Sequence, residues 1–170
     1  MTKWAIAVLL FLSADLIAQN IFDATRSNDT LRIKTLYALK ADTIDSKNES
    51  GFSPLIIAVY RQQSNAARLL IRLGANLNTT SNEGTALVAA SYRGDLTMLN
   101  LLLAAGAKTD ETNDDGVSAL MYAAQLNHEK IVQSLIQQGA SKHLRSKAGY
   151  SALDYAQKNG HKALLPLLSN

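Results

Sequence analysis

The sequence of 170 residues has no cysteine, only two prolines and an aromatic content of only 6%. Without cysteine the chain cannot form disulfides, hold a metal through thiolates or carry a lipid on a cysteine. Charged residues are few, at 18%, and no run of lysine and arginine accompanies the net charge of +3, so we expect no nucleic-acid partner. The hydrophobic content of 47% instead predicts one soluble globular domain.

Long hydrophobic runs are also missing, apart from one near the N-terminus. Lys3 precedes an apolar run from Trp4 to Leu12, and the small residue Ala18 follows. This order of features is that of a secretory signal peptide. Cleavage is expected after Ala18, at a junction that resembles those of Gram-negative bacteria. We therefore predict a signal peptide at 1–18 and a mature chain at 19–170 that is periplasmic or secreted.

The alternative interpretation of this segment is a membrane anchor. Asp15 interrupts the apolar stretch well short of the roughly 20 residues that a spanning helix requires. We therefore expect no integral membrane segment in the chain once the signal peptide has been removed.

Glycines recur through the rest of the chain at a regular spacing. Two series advance in steps of 32 or 33 residues. The first consists of Gly51, Gly84, Gly116 and Gly149, and the second of Gly74, Gly106 and Gly139. A period of this length predicts an array of stacked structural units.

A hydroxyl residue follows each glycine of the first series, and then come an alanine or proline and a leucine. The hydroxyl can accept a backbone N–H of a first helical turn, and proline is tolerated there because its missing N–H is not needed. The pattern therefore predicts helix starts at Ser53, Thr85, Ser118 and Ser151.

Each predicted start leads into a short first helix and then a second helix with an apolar stripe. Alanine at equivalent places of the first helices lets neighbouring units approach closely. The first helices are expected to end near Gln62, Gly94, Asn127 and Gly160, of which all but the glutamine suit a tight turn. The stripe of the second helices is predicted to be buried, with Leu70, Leu102, Leu135 and Leu168 in the core.

This pattern resembles the ankyrin repeat, which has a period of about 33 residues. The resemblance covers residues 20–170 and implies an all-α fold, an ankyrin-repeat solenoid of stacked helix-turn-helix units with finger loops. It divides the mature chain into an N-terminal capping repeat at 19–48, full repeats at 49–81, 82–113 and 114–146, and a C-terminal capping repeat at 147–170.

The sequence departs from the family pattern at a few places. One residue is missing between Gly84 and Leu87, and Lys40 stands where a glycine is usual. Pro166 falls inside the last second helix, where we expect a kink or fraying, at a cost of about 3 kcal/mol if the helix is otherwise regular, and a loosely finished terminal unit.

The residues that could carry chemistry form no recognisable catalytic or metal-binding pattern. His128 and His161 share one repeat position, where the family uses histidine to build a turn, and no histidine pair has the spacing of a zinc site on a helix. The segment from Glu111 to Gly116 partly matches a calcium loop, but Tyr122 stands where the closing glutamate is needed. We expect no catalytic residue, no metal and no cofactor.

The resemblance also implies where a partner protein would bind. The family uses the concave side, with the finger tips beside each repeat glycine and the exposed ends of the first helices. The corresponding residues of this sequence are Arg26, Glu49, Phe52, Tyr60, Arg61, Glu83, Tyr92, Arg93, Asp114, Asp115, Gln125, Tyr150 and Lys158.

One feature of this set is not required by the fold. The dipeptides Tyr60-Arg61 and Tyr92-Arg93 repeat in successive units, and stacking would align them as a ladder. Tyrosine and arginine dominate the energetic centres of protein interfaces, so the ladder is a hypothesis for an anchor. The alternative is that the tyrosines pack on neighbouring fingers and the arginines pair with acidic tips, which contributes little.

We therefore expect a non-catalytic, exported and monomeric module that binds another protein. Support of an enzyme, immunity and an envelope scaffold are equally compatible roles. Two alternatives stay open: a secreted effector acting on a host protein, and an enzyme with an unrecognised site in a groove. A histidine beside a carboxylate in a cleft would favour the enzyme.

Overall fold

The computed structural model describes residues 14–169, and these form helices and loops without a β-strand. The all-α prediction is confirmed, and the described residues contain ten α-helices. These are α1 (Ala14–Arg26), α2 (Thr30–Leu39), α3 (Pro54–Tyr60), α4 (Ser64–Arg72), α5 (Ala86–Arg93), α6 (Leu96–Ala104), α7 (Ala119–Gln125), α8 (Glu129–Gln137), α9 (Ala152–Lys158) and α10 (Leu165–Leu168).

The chain divides into two compact units, Met1–Ala75 and Asn76–Asn170. A short 3-10 helix lies in each unit, at Ala41–Asp45 in the first and at Lys162–Leu164 in the second. Most of the predicted signal peptide, residues 1–13, lies outside the described residues, and the expected cleavage point falls within α1.

The predicted helix starts are confirmed. At Ser53, Thr85, Ser118 and Ser151 the side-chain hydroxyl accepts the backbone N–H three residues later, with oxygen–nitrogen distances of 3.2 to 3.4 Å. These bonds satisfy one donor that the first helical turn leaves without a partner. Each first helix therefore begins at a position that the local sequence sets.

The last of these starts is a reciprocal cap. The Asp154 carboxylate accepts the backbone N–H of Ser151 at 2.8 Å and its hydroxyl at 2.7 Å, and Arg145 donates to it at 2.9 Å. The hydrogen bonds from Ser151, first from its backbone and then from its side chain, lower the pKa of Asp154.

The turns that close the first helices all use left-handed backbone. The φ angles are +57° at Gln62, +69° at Gly94, +60° at Asn127 and +74° at Gly160. Gln62 thus adopts the left-handed conformation although glutamine, unlike glycine and asparagine, has no preference for it. At Gly94 a side chain would also be crowded, because its Cβ atom would lie 2.8 Å from Cε1 of His128 and the imidazole ring would have to shift.

In the first unit, α1 packs against α2 and α3, and α2 packs against α4. Phe22, Ile33, Leu55 and Leu70 are among the side chains that are buried almost completely in its core. The hairpins are also joined by polar contacts, since the side-chain oxygen Oδ1 of Asn28 accepts the backbone N–H of Ala66 at 2.8 Å.

In the second unit, α5 and α9 both pack against α7, and α8 packs against α6. The core includes Leu87, Leu99, Leu102, Leu120 and Leu135, all at most 1% exposed. The stripe predicted for the second helices is therefore buried, and Leu70 and Leu168 are buried as well.

Side chains also join successive fingers of the second unit. The Asn78 carbonyl oxygen accepts the backbone N–H of Lys108, and a carboxylate oxygen of Asp110 accepts that of Ser141, both at 2.9 Å. The two bonds link equivalent places of neighbouring repeats. Hydrogen bonds between neighbouring repeats therefore recur with about the same spacing as the repeats in the sequence.

The expected interruption at Pro166 takes a different form. The segment is not one kinked helix, because a 3-10 helix at Lys162–Leu164 ends before it and α10 begins at Leu165. Pro166 consequently lies in the first turn of a new helix, where no backbone N–H is needed. The expected penalty of about 3 kcal/mol, which applies inside a regular helix, is avoided.

Burial of the apolar stripe yields a prediction for stability. Leu102→Ala and Leu135→Ala should each lower the free energy of unfolding by about 2 to 5 kcal/mol, because truncation loses buried area and leaves a cavity. Denaturant titration of the purified variants measures this. Leu31→Ala is the control, since Leu31 is 74% exposed on α2 and should keep the wild-type midpoint. Wild-type midpoints for both core variants would contradict their burial.

Candidate protein-binding surface

The predicted binding residues of the first unit lie at its surface to different degrees. Glu49, Tyr60 and Arg61 are exposed, and Phe52 is half-buried. Tyr60 is the last residue of α3, and Arg61 follows it directly. The backbone N–H of Phe52 is held at 2.9 Å by the Asn48 side chain, which fixes the finger tip beside Glu49.

Arg26, the remaining predicted residue of this unit, is engaged within the fold. Its guanidinium donates to Asp23 one helical turn earlier at 2.9 Å, and its backbone carbonyl accepts the Gln63 amide at 3.0 Å. The ion pair is largely exposed and contributes little to stability.

The predicted residues of the second unit are mostly exposed. Glu83, Tyr92, Arg93, Asp114, Asp115, Tyr150 and Lys158 are exposed, and Gln125 is half-buried. Tyr92 and Tyr150 carry the largest apolar surface among them, at 43% and 36% exposure.

Tyr92 and Arg93 are the last two residues of α5, whereas in the first unit Tyr60 is the last residue of α3 and Arg61 follows it. The proposed ladder includes residues of both units and stays a prediction.

Tyr92 does not stand alone, because a second tyrosine lies against it. The rings of Tyr92 and Tyr122 meet edge to face, with centroids 5.6 Å apart and planes at 84°. Such pairs are favourable because the positive ring edge meets the negative ring face. The Tyr122 hydroxyl accepts a hydrogen bond from the Asn113 amide at 3.1 Å, which fixes the ring from the other end.

A second pair of tyrosines follows in the next repeat. The rings of Tyr150 and Tyr155 lie 5.5 Å apart, and the Lys158 ammonium lies 4.8 Å from the centroid of the Tyr150 ring. This is a cation–π contact, in which the ring face attracts a positive charge. The Tyr155 hydroxyl bonds with that of Ser146 at 3.3 Å. We call Tyr92, Tyr122, Tyr155 and Tyr150 the tyrosine strip.

The finger tips place carboxylates beside this strip. Burial raises the pKa of Tyr122, and the negative charges of Glu83 and then Asp115 raise it further, so both carboxylates act on the phenol. Tyr155 and Tyr92 raise the pKa of Tyr122 by smaller amounts. Tyr122 therefore interacts with both of its neighbours in the strip.

Backbone hydrogen bonds hold the acidic tips in place. The N–H of Asp114 donates to the carbonyl of Asn82 at 3.1 Å, and the N–H of Lys147 donates to the carbonyl of Asp115 at 2.8 Å. The Asn113 side-chain oxygen accepts the N–H groups of Asp115 and Val117. In the segment from Glu111 to Gly116, which partly matched a calcium loop, the Asn113 oxygen therefore stabilises the turn through backbone hydrogen bonds.

Sequence reasoning missed Tyr122 and Tyr155. Both stand four residues after a helix-starting serine, at places where earlier repeats have Ile57 and Ala89. The recurrence of tyrosine at a spacing of one repeat is the signal that could have identified them.

The histidines take structural positions. Nε2 of His161 lies 3.0 Å from the carbonyl oxygen of Gln125, and the His128 ring lies against Gly94. His143 is exposed on a loop. Within residues 14–169 no three histidine or acidic side chains come together in a way that could hold a metal ion.

The strip can be tested through the titration of Tyr122. Glu83→Gln should lower the pKa of Tyr122, because a repelling negative charge is removed, while burial keeps that pKa above its usual value. Because the folded pKa is raised, the neutral phenol stabilises the fold below about pH 10, and this contribution is lost as the pH rises through the folded pKa.

Nuclear magnetic resonance of ring-labelled tyrosine follows this titration residue by residue. Asp114→Asn is the matched control, since Asp114 does not contribute to the shift. An equal Tyr122 pKa in the wild type and Glu83→Gln would show that Glu83 does not face the strip.

Comparison with known proteins is consistent with this architecture. The family described as ankyrin repeats (3 copies) matches residues 21–112 and again 87–170. Ankyrin repeat domain-containing protein 63 of Mus musculus is 32% identical over 143 residues, which are 79% of this chain. The matched region spans only 37% of the mouse protein.

No helix within residues 14–169 is long and apolar enough to cross a membrane. The family match covers nearly all of the described residues and agrees with the observed helix pairs and capped helix starts. The chain belongs to the ankyrin repeat family.

Proposed function

We propose that this chain is a non-catalytic interaction module that binds a partner protein through the tyrosine strip and the carboxylates beside it. Ankyrin repeats are generally protein–protein interaction modules. The observation that carries the proposal is the exposed pair Tyr92 and Tyr150, each stacked on a second, half-buried tyrosine. The fold does not need these exposed rings for its core.

The strip has the properties of an interface centre. Tyrosine combines a large apolar ring with a polar hydroxyl and is enriched among residues that dominate binding energy. The rings of Tyr122 and Tyr155 are already fixed by Asn113 and Ser146. Such preorganisation reduces the entropy that would otherwise be lost on association.

The charges indicate the chemistry of the partner. Glu83 and Asp115 place negative charge beside Tyr122, and the Tyr150 ring already attracts the Lys158 ammonium. A partner segment that presents lysine or arginine could place its cations against ring faces and carboxylates together. Because opposite charges steer such an encounter, association should slow as the salt concentration rises.

An enzymatic role is the weaker candidate. The ankyrin repeat family is generally non-catalytic. Nε2 of His161 lies 3.0 Å from the backbone carbonyl oxygen of Gln125, and the His128 ring lies against Gly94, so both rings contact the backbone of the preceding repeat.

Binding can be tested with Tyr92→Ala/Tyr150→Ala. The partner is first captured by crosslinking to the wild type and then titrated against purified variants. Loss of two interface tyrosines should weaken binding by about 2 kcal/mol or more, which is about thirtyfold. Leu31→Ala/Leu39→Ala is the control, because it removes two exposed apolar side chains, at 74% and 71% exposure, outside the strip. Equal affinity of both double variants would refute the site.

We also propose that the chain is exported and that cleavage follows Ala18. The support is the order of Lys3, the apolar run from Trp4 to Leu12, and Ala18. A secreted effector with a host partner would use the same export route and surface.

Mass spectrometry of the N-terminus tests this proposal. Protein from the exported fraction of a Gram-negative expression host should begin at Gln19. Ala18→Leu is expected to block processing, because the cleavage site requires a small residue, whereas Ala24→Ser, beyond the site, should be processed normally. An intact Met1 in the exported protein, or retention inside the cell, would contradict the proposal. Capture of a partner from the same cell rather than from a host separates a resident module from an effector.

A further inference from the structure

A cavity of about 240 Å³ opens at the surface of the first unit, where α2 and α4 lie side by side. It is separate from the tyrosine strip, which contributes none of its lining. The cavity is lined by Thr30, Lys34, Asn65, Arg68, Leu69 and Arg72.

The charge of this lining is positive only. Lys34, Arg68 and Arg72 contribute three cations, and no carboxylate lies among the lining residues. Within residues 14–169 the side chains of these three cations make no hydrogen bond or ion pair. By contrast, Arg26 and Lys40 of the same unit are each paired with an aspartate.

Such an arrangement is unfavourable for the unliganded protein. Arg68 and Arg72 are four residues apart on one helix, where like charges repel, and Lys34 adds a third charge from the facing helix. An anion in the cavity would replace this repulsion by attraction. A bound anion would therefore stabilise these three cations. Cations that are already paired with carboxylates would gain less from such a ligand.

The types of donor indicate which anion fits. Guanidinium groups present paired N–H donors that match the oxygens of phosphate, and the lysine adds a point charge. Thr30 and Asn65 provide neutral polar groups in the first turns of α2 and α4, where the partial positive charge of the helix favours anions. Leu69 is buried and forms an apolar wall.

We propose that this cavity binds a phosphate-bearing anion through Lys34, Arg68 and Arg72. The shared chemistry is a phosphate with at least two negative charges or a cluster of phosphate groups at one place. It is supplied either by a free phosphate compound or by the head groups of anionic phospholipids.

The full-length mature chain is titrated with pyrophosphate by calorimetry, and its thermal midpoint is followed in parallel. The wild type should bind and unfold at higher temperature with pyrophosphate, because a ligand of the folded state stabilises it. Arg68→Gln/Arg72→Gln should weaken binding by about tenfold or more, since charge-assisted hydrogen bonds are lost. Without pyrophosphate this variant should be at least as stable as the wild type, because repulsion has been removed.

Arg32→Gln/Arg61→Gln is the matched control. It removes the same charge from the same unit, but neither residue lines the cavity. It should bind pyrophosphate within about twofold of the wild type, because neither side chain places a hydrogen-bond donor in the cavity and salt partly screens exposed charges outside it. Equal weakening in both double variants would overturn the proposal in favour of diffuse attraction by net charge.

A second arm distinguishes the sources. Vesicles of phosphatidylglycerol and phosphatidylcholine, and vesicles of phosphatidylcholine alone, are floated with the wild type and both double variants. Flotation with the anionic vesicles that only Arg68→Gln/Arg72→Gln loses assigns the cavity to lipid head groups. Binding of pyrophosphate without flotation assigns it to a free phosphate compound. A wild type that binds neither pyrophosphate nor anionic vesicles refutes the site.

Discussion

A hairpin of two short helices has too little interior to hide its own apolar side, so each hairpin in this protein is stable only when a neighbour covers it. This covering is seen at the leucines of the second helices. Leu70 in the first unit and Leu102 and Leu135 in the second are fully buried. Alanines such as Ala90 and Ala123, also fully buried, allow the first helices to come close. The capped helix starts, the left-handed turns and the hydrogen bonds between fingers position the hairpins so that their apolar sides can pack together.

Packing on one side leaves the other side of each hairpin available. In the second unit, the first helices carry Tyr92, Tyr122 and Tyr155, and the fingers add Tyr150 and the acidic tips. Hydrogen bonds between successive fingers hold these tips at fixed places. A surface of this kind is rigid because the core behind it is rigid, and its side chains can vary without cost to the core.

The sequence predicted those parts of the fold that depend on local chemistry. Helix starts such as Ser118 followed from the hydroxyl, and the buried stripe followed from its spacing. The left-handed turn at Gln62 was not predictable, because tertiary packing imposes it on a residue without that preference. An interruption was expected at Pro166, but its form, a 3-10 helix followed by a new helix from Leu165, depends on how the last segment packs.

The candidate site was predictable in part. Family position identified Tyr92, Tyr150 and the acidic tips, but Tyr122 and Tyr155 occupy a place that usually serves packing. The cavity at Lys34, Arg68 and Arg72 lay beyond the sequence, because it depends on two helices separated by about one repeat. Convergence of distant side chains is a property of the folded chain.

The finger at Gly84 closes differently from the other fingers, and this difference affects how the chain could change by duplication or recombination. The carbonyl of Gly84 itself accepts the Ser81 N–H that closes the finger, whereas in the next repeats this acceptor is Val117 or Tyr150, one residue after the glycine. A side chain at Gly84 would also meet Val88 at 3.0 Å. The fingers of this protein therefore differ in how they close. A duplicated unit that carried the finger at Ser81 and Gly84 would bring this shorter closure to its new place in the stack.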